Sequence, residues 1–472
     1  MRLHHLCPAL WLAGFSVLLA PCSRALGDAS VSQHHNHASR DGVFVDPAFT
    51  PGRAGGLARD LNFDGRVNGN VYAQPLYIEG GPGGKAMIIA VTESNYVYAL
   101  DALSGTPLWM TNVGPPVPGG VLPCGNVQPV GILGTPTVDL ASRALFFDAM
   151  ILTPAPEHFI FSLNVDTGSL NPGWPIAVAG NAKSGNKVFQ SPAQGQRGAL
   201  AVVGGNLYVP FGGIAGDCDT YYGWVVGLPL SNPTNMVAWA TSARGGGAWA
   251  LGGFASDGVD TFVATGNTFS TGGAWGGGEA ILRLSPTLTL ANGTADYWAP
   301  TNWLYLDNND LDVGGSGPVL VDVPGATPSK LVAAFGKDGN VYLLNRTNLG
   351  GVSRPLAQMH VVNSEIIQAS ATYRTSQGTY LVLSANGNLY SLHITAANPP
   401  ALQFGWSKSQ GGGQGSPFVT STDGTNNVIV WVVGAEGDQR LHGFDGDTGT
   451  TVFGGGGSNE LMAGTRRFST AI

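Results

Sequence analysis

The chain is poor in charge. Lys, Arg, Asp and Glu together supply 11% of its 472 residues, and no cluster of Lys or Arg interrupts a net charge of −8. The electrostatic footprint of a nucleic-acid binder is missing, and so are the charged outer faces that surface helices carry. Cysteine is also scarce: of four, Cys7 and Cys22 fall in the opening segment, leaving Cys124 and Cys218, enough for one bridge in an oxidising compartment. No segment after the opening one is apolar and long enough to span a bilayer. What is abundant is glycine, 71 residues, together with 43% apolar residues. That mixture suits many short strands joined by tight turns and sets an all-β expectation.

The opening, MRLHHLCPALWLAGFSVLLAPCSRALG, has a basic residue at Arg2, an apolar run of roughly twelve residues from Ala9 to Ala20, and small residues at Ser23, Ala25 and Gly27. It reads as a secretory signal over 1–27, so the protein is expected to be secreted or periplasmic. The run is too short for a membrane anchor, and Pro21 before Cys22 fits a lipoprotein signal poorly. The polar stretch SVSQHHNHASR follows, and residues 28–40 read as a flexible leader. Its His34, His35 and His37 could take a metal, but a solvated tail is the simpler expectation. Asn292-Gly293-Thr294 and Asn345-Arg346-Thr347 are glycosylation sequons, used only if the source is eukaryotic.

A repeat runs through the rest. The stretch NYVYALDALSGTPLW places Asp101 four residues before Gly105 and eight before Trp109. Aligned on Asp101, related stretches recur at Asn164, Pro229, Ser285, Asn345, His393 and Asp445, about 48 to 65 residues apart, the length of a four-stranded propeller blade. A second anchor opens each unit, as at Gln74-Pro75, Thr135-Pro136, Ser191-Pro192, Gly317-Pro318, Ser370-Ala371 and Ser416-Pro417, with Phe468-Ser469-Thr470 as one more. The expected architecture is a single all-β domain over 41–472: an eight-bladed-type β-propeller with seven near-complete four-stranded blades and a partial closing blade. The closing strands would come from residues about 40 to 70 if the chain completes the ring, because an unclosed propeller leaves unpaired edges. The Asp carboxylate can take turn amides, Gly105 can adopt positive φ, and Trp109 can pack between blades, so the repeated motif is a structural device.

These residues, VYALDALSGTPLW, resemble the repeat of pyrroloquinoline-quinone-type β-propellers, the superfamily of the quinoprotein alcohol dehydrogenases and of some non-catalytic scaffolds. In a blade of strands A to D, the B–C and D–A loops share one face. On that face, AWALGG, ATGN, NDLDVGG and GKDG resemble, in order, the quinone floor, a calcium ligand, the catalytic loop and a quinone contact. The resemblance implies Trp249 under the quinone, Asn267 on Ca²⁺, Asp312 (or Asp310) as base, and Lys337 on the quinone oxygens. It departs from the family where a calcium-ligating Glu is expected, since IAGDCDTYYG offers only Asp217 or Asp219, and where an adjacent cysteine pair is expected. Cys124 and Cys218 fall in loops of the same face, so a bridge between them is expected instead. The implied activity is oxidation of a small alcohol or sugar by a monomer. The alternative is a non-catalytic propeller that binds proteins or glycans. A hydrolase would need a Ser/His/Asp set, and none stands apart from the repeat.

Overall fold

The computed structural model describes residues 29–472, so the expected signal over 1–27 lies outside the described residues. Seven sheets of four or five strands follow one another along the chain, beside two small two-stranded pairs. The first sheet, Leu76–Ile78, Met87–Val91, Tyr96–Asp101 and Pro107–Asn112, is an antiparallel meander, and the pattern repeats to the seventh, Phe418–Ser421, Ile429–Val433, Leu441–Asp445 and Thr451–Gly454. The two middle strands of most sheets are largely buried on both faces. For that reason they read as apolar runs rather than as alternation. The first strands of successive sheets pack against each other and surround a common axis.

The repeated motif works as a joint. The Asp101 carboxylate accepts the amides of Leu103 and Ser104 at 2.9 and 3.3 Å, and the Lys85 ammonium donates to its other oxygen at 2.6 Å. Trp109 reaches into the second sheet, its indole donating to the Val165 carbonyl at 2.9 Å. Trp406 repeats this with Gly446 of the seventh sheet at 2.9 Å, whereas Trp298 donates to Ser353 within its own sheet at 3.1 Å. The motif glycine is required twice over: Gly168 has φ +69°, and a Cβ there would lie 2.4 Å from the Trp109 ring.

The ring does not close as expected. No eighth sheet forms among the described residues. Residues 43–45 instead add a parallel strand to Phe418–Ser421 of the seventh sheet. The seam between the seventh and first sheets is bridged by irregular chain. Asp64 donates its amide to Ser104, and Gly65 packs on Gly105, where Trp109 packs on Gly168 one sheet further on. From the other side, Arg466 donates to the Asn70 side chain at 2.7 Å, and Phe468 and Ser469 bond backbone to Gln414 and Ser416 rather than opening a strand.

The polar leader is likewise not a solvated tail. His34, His35 and Arg40 are 3%, 1% and 1% exposed. Residues 31–45 form a strap around the axis. Tyr77, Val138, Ser256, Leu320, Thr372 and Val419 donate their amides to the carbonyls of Val31, Ser32, Ala38, Ser39, Asp41 and Gly42, at 2.7 to 3.2 Å. Each donor is the second residue of the first strand of its sheet. The third sheet, absent from that series, is met by the Arg40 guanidinium, which donates to the carbonyls of Leu200, Phe254 and His34. Polar composition misled the reading because the strap satisfies strand edges, which demand hydrogen bonds rather than apolar bulk.

Candidate functional site

Four loops of one face carry the site. Trp249 lies between the third and fourth sheets, Asn267 follows Thr261–Thr265 of the fourth, Asp312 precedes Val319–Asp322 of the fifth, and Lys337 lies between Lys330–Phe335 and Asn340–Asn345. The helix Trp303–Asn309 sets the Asp312 loop. It buries Trp303, Leu306 and Asp307 and ends at Asp310 in a left-handed conformation, φ +53°, which turns the chain back towards the axis. Asp307 then ties this loop to the Asn267 loop, accepting the Thr268 amide at 2.8 Å and its hydroxyl at 2.6 Å.

Asp312 is where the loops meet. Its Oδ2 accepts the Trp249 indole N–H at 3.0 Å and lies 2.9 Å from the Lys337 Nζ. Its Oδ1 accepts the Asn267 amide at 2.8 Å, and its own carbonyl accepts the Lys337 amide at 2.9 Å. The carboxylate is 3% exposed. Burial pushes its pKa up, and Lys337 only partly offsets this. Burial alone would lower the Lys337 pKa, but Asp312 and Asp310 hold the ammonium above its ordinary range. Asp310, the alternative base, reaches Lys337 at 2.8 Å from an exposed position. The Trp249 indole packs closely on glycine, since a Cβ on Gly266 would lie 3.0 Å from its Nε1 and 2.9 Å from the Asp312 carboxyl.

A cavity of about 380 Å³ is lined by Arg197, Leu251, Gly213–Ala215, His158 and, across the seam, Glu436, Arg466 and Arg467; Trp249, Asn267, Asp312 and Lys337 do not line it. Arg197 joins cavity to cluster: its guanidinium lies 5.5 Å from the Trp249 ring centroid, with the Lys337 Nζ 5.3 Å from the same ring. Among the described residues, no carboxylate pairs with Arg197. Glu436 is already engaged by Arg467 at 2.9 Å. Sequence reasoning missed Arg197, a lone cation in a Gly/Gln-rich loop, and the only signal was the scarcity of acids near it.

Asp217 and Asp219 are not drawn into the cluster. Asp217 accepts the Tyr221 hydroxyl at 2.6 Å, and Asp219 caps its own loop at the Thr220 amide, 2.7 Å away. The expected bridge is present: Cys124 and Cys218 form a disulfide with Cα atoms 6.2 Å apart, and Cys124 is next in sequence to Gly125 of the cavity wall. His158 and Asp148 form a buried pair at 2.7 Å, while the other ring nitrogen faces the Gln194 carbonyl at 3.0 Å. The ring therefore donates from Nε2 to the Gln194 carbonyl and shares one proton with Asp148 through Nδ1. Ser191 contacts only the His158 amide, so these three residues form no nucleophilic triad.

No protein-family model and no curated protein matches the sequence. Solved structures do. The chain superposes on the quinohemoprotein alcohol dehydrogenase of Pseudomonas putida at 12% identity, covering 90% of this chain and 72% of that one with a TM-score of 0.63. The quinohemoprotein alcohol dehydrogenase of Comamonas testosteroni gives 13%, 90%, 72% and 0.62. A europium-containing methanol dehydrogenase gives 14%, 90%, 84% and 0.61. The fold is that of the quinoprotein dehydrogenase propellers. Identities this low speak to fold, so the chemistry is judged on the residues present.

A flat anionic ring fits those residues. Trp249 is half-buried, the cavity that Arg197 links to it has the size of a small-molecule site, and Arg197, with no carboxylate partner among the described residues, calls for an anion. A calcium ion does not fit them. It needs six to eight oxygen ligands, whereas Asp312 is committed to three donors and Asp217 to Tyr221. Among the described residues, no three His, Cys, Asp or Glu side chains form a metal-holding group.

Proposed function

We propose that the protein is a secreted quinoprotein-like oxidoreductase that oxidises an alcohol or sugar. One observation carries the reading: the Asp312 carboxylate gathers Trp249, Asn267 and Lys337, three positions singled out by resemblance, from separate loops. When bound, pyrroloquinoline quinone supplies the two-electron acceptor. Trp249 offers the flat surface, and Arg197 offers charge for a carboxylate. Asp312 takes the substrate hydroxyl proton, and Lys337 beside it keeps the carboxylate ionised until then. Calcium has no place in this mechanism.

Purified protein titrated with pyrroloquinoline quinone is expected to show saturable quenching of tryptophan emission that Arg197→Gln weakens. With an artificial electron acceptor, Asp312→Asn should bind the quinone yet lose turnover by about 10²–10⁴-fold, the usual contribution of a general base. Absence of quinone binding, or full turnover by Asp312→Asn, overturns the reading. The observation that favours a non-catalytic propeller is the missing calcium ligand set, and failure to bind quinone is the outcome that supports it.

A further inference from the structure

Glu279 is a residue that neither the fold nor the proposed chemistry requires. It precedes the strand Ala280–Leu284 and is 0% exposed. Its backbone is left-handed, φ +51°, a region that a residue with a Cβ rarely adopts, and its amide donates to the Gly266 carbonyl at 2.9 Å. The strained backbone sends a carboxyl group into the interior behind the Asp312 loop. There Oε2 accepts the Val313 amide at 2.7 Å, while Oε1 meets no hydrogen-bonding partner among the described residues.

An ionised carboxylate with one donor and no exposure is a poorly compensated buried charge. Asp312, by contrast, receives two N–H donors and an ammonium. We propose that Glu279 is a neutral carboxylic acid and a positioning residue: it tethers the Asp312 loop through Val313 and keeps a second negative charge away from Asp312. The charged and titratable groups facing it are Asp312, Asp307, Lys337 and Tyr342. Two of these are carboxyl groups, and like charges at such a site do not both ionise. Burial first, and Asp312 next, hold Glu279 well above the usual carboxyl range. The neutral form thus leaves Asp312 as the carboxylate paired with Lys337. The link to catalysis rests on the function proposed for Asp312, but the tether and the protonation state do not.

Infrared spectroscopy of the quinone-free protein at neutral and mildly alkaline pH tests this without turnover. The carbonyl stretch of a protonated carboxylic acid should be present, vanish in Glu279→Gln and shift in Asp312→Asn. No such band, or one that survives Glu279→Gln, overturns the proposal. Stability gives a second readout. A proton kept in the folded state but lost on unfolding makes stability fall as pH rises above the ordinary glutamate range. Glu279→Gln removes that dependence. The ratio of wild-type to variant unfolding constants should therefore grow by up to tenfold per pH unit, and a flat ratio overturns the proposal. Amide exchange at Val313 should stay slow in Glu279→Gln and quicken in Glu279→Ala. Equal rates in the two would sink the tether. If quinone fails to bind while the band behaves as stated, only the assigned function falls.

Discussion

Asp312 has three jobs for two oxygens, and Lys337 decides its charge. Removing the ammonium in Lys337→Met takes away the favourable charge that partly offsets burial, so the carboxyl should titrate at higher pH. The expected observation is an upward shift in the midpoint of the pH-dependent Trp249 emission, isolated by subtracting a Trp249→Phe variant. An unmoved midpoint would show that Lys337 does not control Asp312. At this scale the sequence was most legible where short stretches resemble a known family: that resemblance pointed to Trp249, Asn267, Asp312 and Lys337, which the structure brings together. The Cys124–Cys218 bridge was legible from the two cysteines falling in loops of one face. Arg197 and Glu279 were not, because what distinguishes them is missing partners, and a partner's absence is written only in three dimensions.

The elements are held by two kinds of joint, each with a measurable strength. In the first, Trp109 and Trp406 each donate one hydrogen bond to the next sheet. Trp406, 6% exposed, should cost about 3 kcal/mol or more when truncated to alanine. Trp109→Phe keeps most of the packing and should cost about 1 kcal/mol, read from urea denaturation. The second joint is the strap. His34 and His35 stack within it, their ring centroids 4.3 Å apart. Burial first, with Arg40 adding to it, lowers the His35 pKa to about 4. Because the folded value lies below the unfolded one, the unfolded strap binds protons first. Its stability is therefore present above the ordinary histidine value and lost as pH falls towards about 4, by about 3 kcal/mol for His35. Amide exchange at Val138, Ser256, Leu320, Thr372 and Val419 should quicken together across that range, whereas acid-independent exchange would contradict the assignment. The blade grammar was legible because strand periodicity and turn chemistry are local properties. The strap was not, because its partners lie in sheets spread over the whole chain.

For the molecule as a whole, the Cys124–Cys218 bridge closes a loop of 94 residues that ties the entrance of the second sheet to the third. In chain-entropy terms such a loop is worth about 5 kcal/mol. Cys218→Ser should lower the denaturation midpoint by a corresponding amount, and a reductant should do the same to the wild type but not to the variant. The eighth blade marks the limit of legibility. Phe468-Ser469-Thr470 carries a strand-opening signature, yet its backbone bonds to Gln414 and Ser416. A local signature cannot show which backbone the segment will bond to.

The strap also orders events in time. Its carbonyls are taken by amides in six sheets, the last of them reached only at Val419. A chain synthesised from its amino end makes residues 31–45 first but can seat them only after the seventh sheet exists. The strap therefore works as a drawstring threaded early and tightened late. Until it tightens, the first-strand edges of six sheets are open to other chains, so the interval before Val419 is in place is when this protein is most exposed to misassembly.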